Sequence, residues 1–165
     1  MKTVFFDVDG TLTEAGPGIL NLVSYALDKM GYAPFEGDGS SMVGPPLWDS
    51  FRILGVPENR LDDSVEHYRY WSADIGWLEN SLYEGVLAEL SSIKVQGFQL
   101  CITTSKHSTY ACKITKHFGV AVLMDYEFGS ESDGTRADKT SLIKYAITLS
   151  NATTGKSILV GDRPY

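Results

Sequence analysis

The chain has 165 residues and a formal net charge of −7, from 14 Lys and Arg against 21 Asp and Glu, with 43% hydrophobic residues, 16 Gly and 6 Pro. That is the size of one ordinary domain, or of a small core carrying an insertion, and it holds enough apolar residues to pack an interior, so disorder is not indicated. The acidic balance, with no Lys/Arg block, argues against binding duplex nucleic acid through its phosphates.

Residues 2–8, KTVFFDV, form the first expected strand, and Asp7 and Asp9 interrupt the opening MKTVFFDVDG before a signal-peptide core could form. GILNLVSYALDKMGY places Ile19, Leu22, Val23, Ala26, Leu27 and Met30 at intervals of three and four, an amphipathic helix with Gly31 as its stop. FEGDGSSMVGPP is a loop, from its glycines, serines and Pro45-Pro46. LWDSFRILG and RLDDSVEHYRYWSADIGWLE read as helices, the second with Leu61, Val65, Tyr68 and Trp71 or Ser72 on one face. Three helices thus follow one another without a strand.

From about residue 85 the pattern changes. GVLAELSSIKVQG is a helix with Val86, Leu87, Leu90 and Ile93 on one face, FQLCITTS a strand, STYACKITKHFGV a helix, and VAVLMDYEFGS holds a short strand. DKTSLIKYAITLS is a further helix and KSILVGD a further strand. Strands alternating with helices imply parallel strands joined by crossovers, hence an α/β fold with a three-layer, Rossmann-like parallel sheet. The helical block of residues 15–83 reads as an inserted all-helical subdomain, with residues 1–14 and 84–165 as the core. No run reaches the length of a membrane span, and Cys101 and Cys112 lack metal-ligand spacing, so reduced thiols and a cytoplasmic location are expected.

Three strands end in polar signatures, FFDVDGT, CITTSK and ILVGD. In a parallel α/β sheet the ligand site lies outside the carboxyl ends of the strands, which brings Asp7, Asp9 and Asp162 together with the hydroxyl and backbone donors of Thr103 to Ser105. Three crowded carboxylates would repel one another unless a divalent cation sat among them, and Mg²⁺ suits, because it prefers oxygen and uses few protein carboxylates. A calcium loop is the competing reading of DVDGT, but a strand precedes it and Gly10 is fourth from Asp7, not sixth. On residue chemistry alone, Lys139 could be a surface lysine opening a helix, Thr104 a helix cap, and His67, His107 and His117 surface or helix-end residues. Tyr68, Tyr70, Trp71 and Trp77 read as packing within the inserted block.

DVDGTLT, TTSK, the lysine of TRADK and LVGD, in that order, resemble the four motifs of the haloacid dehalogenase superfamily of phosphohydrolases, most closely its phosphoglycolate-phosphatase-like branch. VGPPLWDSF, LYEGV and FGSESDGTRADK carry the likeness across nearly the whole chain. The resemblance implies that Asp7 is the nucleophile and forms an aspartyl-phosphate, and that Asp9 protonates the leaving alkoxide and then deprotonates water. It implies that Thr104 donates to a phosphate oxygen, Ser105 offers a backbone N–H, Lys139 neutralises the phosphoryl group, and Gly10 lets the chain turn. Asp7, Asp162 and the backbone carbonyl of Asp9 would hold Mg²⁺.

Dehalogenases lack an acid at the position of Asp9, so phosphate chemistry is expected, on a small metabolite such as phosphoglycolate or a nucleoside monophosphate. The alternative is a weakly active or inactive metal- and phosphate-binding protein working by association. The helical block would be the cap over the site, touching substrate through Gly44-Pro45-Pro46-Leu47, with Arg136 a lesser candidate. Family members continue past GDRPY with a helix and a strand. The expectation is therefore a core lacking both, with an open edge near Ile158 to Val160, either in a truncated chain or in a protein whose edge a second copy or a partner covers. Neither nucleic acid nor membrane is an expected partner.

Overall fold

The computed structural model describes residues 2–37, 42, 45–74 and 76–162. A four-stranded parallel sheet runs in the order β5-β4-β1-β6, built from β1 (Thr3–Phe6), β4 (Gln99–His107), β5 (Tyr126–Ser130) and β6 (Ser157–Val160). Side chains alternate across it as strand geometry requires. Val4 and Phe6 join Leu100 and Ile102 on one face, where Leu90 of α4 (Val86–Val95) and Ile114 of α5 (Ser108–His117) cover them. Phe5 and Cys101 face the other way, onto Leu142 and Ala146 of α6 (Lys139–Leu149).

Between β1 and α4 lie α1 (Gly16–Lys29), α2 (Leu47–Ile53) and α3 (Leu61–Asp74), followed by a single 3-10 turn at Gly76–Leu78. Pro17 occupies the first turn of α1, where a missing N–H costs nothing. The apolar stripes expected on α1 and α3 meet: Ile19, Leu22, Val23, Ala26 and Leu27 pack with Leu61, Val65 and Tyr68 around a fully buried Phe51. This cluster shares no residue with the two that flank the sheet. The fold is thus a Rossmann-like α/β layer structure with an inserted helical cap.

Three expectations need correction. A two-residue antiparallel ribbon, β2 (Thr13–Glu14) with β3 (Ser81–Leu82), ties together the two segments that lead into and out of the helical block, and no alternation announced it. On α4 only Leu90 is buried, while Val86 and Ile93 are half-buried against the sheet-side cluster and Leu87 is exposed. Trp77 packs against the sheet-side cluster and edge-on to His117, 5.7 Å between ring centres, instead of within the helical block. Among the described strands β6 lies at the edge of the sheet, with Ile158 59% and Val160 38% exposed. No described helix is long and apolar enough to cross a membrane.

Candidate active site

The order β4-β1-β6 sets the three polar strand ends side by side, since Phe6 pairs with Ile102 on one side and Val160 on the other. The Asp7 N–H still bonds the Val160 carbonyl at 3.0 Å, so the first acid sits at the strand tip. Beyond it the Val8 carbonyl accepts from the N–H groups of Thr11, Leu12 and Thr13, a tight reversal. Gly10 supplies the positive φ of 77° that this turn needs, and an added Cβ there would lie 2.6 Å from an Asp162 carboxylate oxygen.

Asp7 and Asp9 are both buried, and each meets a lysine. Asp7 Oδ1 accepts the Val8 N–H at 2.8 Å, and Lys139 Nζ bonds Oδ2. Lys139 Nζ also donates to the Thr103 carbonyl at 2.7 Å, tying the first residue of α6 to the middle of β4. The α6 N-cap is Asp138, whose carboxylate accepts the Ser141 N–H at 2.9 Å and so fixes where Lys139 leaves the helix. Burial lowers the Lys139 pKa, against the opposing pull of Asp7.

Asp9 Oδ2 pairs with Lys106 Nζ at 2.9 Å, whereas its Oδ1 is buried with no protein partner. Burial raises the Asp9 pKa against the lowering influence of Lys106. On Lys106 burial acts to lower the value, and the adjacent Asp9 carboxylate more than offsets it, so the ammonium is held. A carboxyl that keeps its proton above the ordinary range is suited to giving it to a leaving oxygen.

The sequence placed three carboxylates in one crowd. Among the described residues no group of three or more His, Cys, Asp or Glu side chains is gathered to hold a metal. Lys106 engages the Asp9 side chain, and Lys139 that of Asp7. The oxygens that would hold a cation are those of Asp7 and Asp162, with the Asp9 backbone carbonyl. That donor set still fits Mg²⁺: it is all oxygen, and the side-chain space that Gly10 leaves empty is taken up by the Asp162 carboxylate.

Asp7 and Asp9 lie on the floor of a cleft between sheet and helices. Thr104 and Ser105 line it with Asp7 and Asp9, and the Lys106 N–H bonds Thr104 Oγ1 at 3.3 Å. Pro45, Pro46 and Leu47 line the helical side, while Gly44 lies outside the described residues. His107 is the N-cap of α5 and also lines the cleft. Arg136 stacks on Tyr145 at 4.1 Å and pairs with Glu131, and is not among the lining residues.

Sequence reasoning assigned nothing to Lys106, Arg69, Trp48 or Tyr110, all of which line the cleft. Lys106 had a legible signal, the last letter of TTSK. The others had none, since α2, α3 and α5 approach one another only in three dimensions. Tyr68, read as packing, is buried in the helical cluster and reaches the cleft as well.

The family model of haloacid dehalogenase-like hydrolases matches residues 4–165. Among curated relatives, the tyrosine-protein kinase PtkA of Mycobacterium tuberculosis is 32% identical over 99% of this chain, which spans only 56% of that protein's length. A 5'-nucleotidase of Pseudomonas aeruginosa is 33% identical over 97% of this chain and 73% of its own. The crystal structure of a predicted phosphatase from Clostridium acetobutylicum superposes with a TM-score of 0.90 at 35% identity, covering 96% of this chain and 74% of that one. With the family model spanning all but the first three residues, the chain belongs to the haloacid dehalogenase-like hydrolase family.

Proposed function

We propose that the protein is a Mg²⁺-dependent phosphatase that hydrolyses a small phosphorylated metabolite through an aspartyl-phosphate, with residues 15–83 as a cap over a core of 1–14 and 84–165. The observation that carries this is the pair of buried acids at the tip of β1, one held by Lys139 and one retaining an unpartnered oxygen, on the floor of a cleft. The relatives' names, a kinase, a nucleotidase and a phosphatase, have in common the handling of a phosphoryl group.

In this reading an Asp7 oxygen attacks phosphorus, forming an acyl-phosphate as the bond to the leaving oxygen breaks, and Asp9 gives its proton to that oxygen. Asp9 then takes a proton from water as the water oxygen attacks phosphorus, releasing inorganic phosphate and restoring the Asp7 carboxylate. Thr104 Oγ1 and the Ser105 N–H bind phosphate oxygens, and Lys139 balances the charge behind Asp7. A cation held by Asp7, Asp162 and the Asp9 carbonyl would neutralise the phosphate further. Such catalysis is mainly positioning and charge stabilisation.

The test is release of phosphate from p-nitrophenyl phosphate with Mg²⁺. Asp7→Asn is expected to lower the rate at least about a thousandfold. Full activity in that variant would remove Asp7 as the nucleophile, and phosphate binding without turnover in the parent protein would make this a binding protein.

A further inference from the structure

We infer that His107 reads the leaving group of the substrate, donating from Nε2 to an uncharged oxygen, a hydroxyl or an ether, on that group. This rests on the phosphatase reading of the same cleft.

The imidazole is fixed from its other nitrogen. β4 becomes irregular between Thr104 and His107, where His107 pairs with Ser130 of β5, and His107 is then the N-cap of α5. Its Nδ1 accepts the Thr109 N–H at 3.2 Å. A neutral imidazole that accepts at Nδ1 carries its proton on Nε2, so this backbone bond selects the tautomer. Burial and the nearby Arg69 both hold the His107 pKa below its usual value, and the positive end of α5 acts in the same sense, so the ring is uncharged at pH 7. Tyr110 flanks the ring, 5.5 Å between centres, and donates its own hydroxyl to the Arg69 carbonyl at 3.2 Å. His107 thus lines the cleft two residues beyond Ser105, on the side where α5 meets α3. Its Nε2 makes no hydrogen bond among the described residues.

The charged side chains that line the cleft are already met within the protein. Asp7 pairs with Lys139 and Asp9 with Lys106, while Arg69 donates to the Ser132 carbonyl and is under the influence of the Asp62 carboxylate. Pro45, Pro46 and Leu47 form an apolar wall, and the Nε1 of neighbouring Trp48 is engaged by Asp62 at 2.8 Å. A neutral donor beside an apolar wall suits a leaving group that has no charge and offers an oxygen, because a carboxylate there would need a cation not otherwise occupied. The competing role, a helix cap and nothing more, accounts for the Nδ1 bond. Serine or asparagine would cap as well, and that role gives Nε2 nothing to bind.

Binding to Asp7→Asn protein in Mg²⁺, which separates recognition from turnover, tests this by calorimetry with ethyl phosphate, 2-hydroxyethyl phosphate and 2-phosphoglycolate. The hydroxyl is expected to tighten binding about three- to tenfold over ethyl phosphate, the range of one neutral hydrogen bond, and the carboxylate to bind no tighter than the hydroxyl. Adding His107→Ser keeps an oxygen for the Thr109 N–H but removes Nε2, so the protein is expected to unfold at the parent's temperature while the hydroxyl preference drops below about twofold. Should the Ser variant fail to fold, His107→Asn, another strong cap, takes its place with the same expectation. The ring gives a second readout. With 3 His in the chain, proton–nitrogen correlation spectra assign His107 by its absence from the variant, and are expected to show the Nε2–H tautomer, with Nε2 shifting on addition of 2-hydroxyethyl phosphate and not of ethyl phosphate. Equal affinity for those two esters, a preference unchanged in the folded variant, tighter binding of phosphoglycolate, or a proton on Nδ1 overturns the inference. If the preference falls with His107 but the parent protein hydrolyses neither these esters nor p-nitrophenyl phosphate, the phosphatase reading fails while the His107 contact stands.

Discussion

Asp9 is where burial and an ion pair pull against each other. Burial raises its pKa and Lys106 is the main opponent of the rise, so removing the lysine leaves only the weaker pull of Lys139 against burial. Lys106→Met is therefore expected to move the Asp9 value further up. In the proposed reaction Asp9 must enter protonated, so kcat/KM falls as pH rises through its pKa, and that falling limb should shift to higher pH in the variant. A pH–rate profile of both proteins checks this, and an unmoved or down-shifted limb would remove Asp9 as the proton donor. The lysine was visible in TTSK, but its partner was not. Only the turn at Gly10 brings the Asp9 carboxylate to a side chain 97 positions away.

At the scale of elements, polar clamps hold strand and helix ends in register. Asp125, just before β5, accepts from Lys94 of α4 at 2.6 Å and from the Leu100 N–H of β4 at 2.9 Å. Its slight burial acts to raise the pKa, but these two donors outweigh it and hold the carboxyl below the usual range. A carboxyl depressed in the folded state stabilises above its unfolded value, near 3.9, and that contribution is lost as pH falls through the lower folded value. Lys94 and Asp125 are 33% and 37% exposed, so solvent screening leaves about 0.5–1 kcal/mol. Asp125→Asn is expected to cost that much in urea unfolding at pH 7, with the difference from the parent vanishing near pH 2. A gap that persists undiminished at low pH would show that charge is not the cause. Close backbone approach is a second device at this scale. An added Cβ at Gly129 would come within 2.6 Å of Ser108 Cα, and the bare residue lets β5 lie against the irregular end of β4 where α5 begins.

Over the whole molecule, two packing systems share one cleft. The helical cluster around Phe51 takes nothing from the sheet, and the layers meet through β2–β3 and through contacts such as Arg69 with Ser132 and Trp48 with Gly134. Phe51 is fully buried, and Phe51→Ala is expected to cost about 3–5 kcal/mol. Because that loss falls on one cluster, hydrogen exchange should speed up in α1 to α3 while the amides of β1 and β4 keep their protection. Uniform acceleration through the sheet would mean that the two layers unfold together.

The sequence alone determined the sheet class, the run of helices after the first strand, and the residues at the strand tips. Each of these rests on short-range patterning: period-two and period-3.6 apolar spacing, and acids placed directly after buried runs. The helix faces on α1 and α3 were legible because both sides of that contact are apolar stripes. The face of α4 was misjudged because burial depends on what lies opposite, which periodicity does not state. Which lysine meets which acid, and the ribbon that joins the two linking segments, were decided only by tertiary structure, since each arises from pairing residues far apart in the chain. Local pattern chooses the element and the side it turns inward. Charge balance in a cleft depends on the approach of several elements at once, and no single stretch of sequence records it.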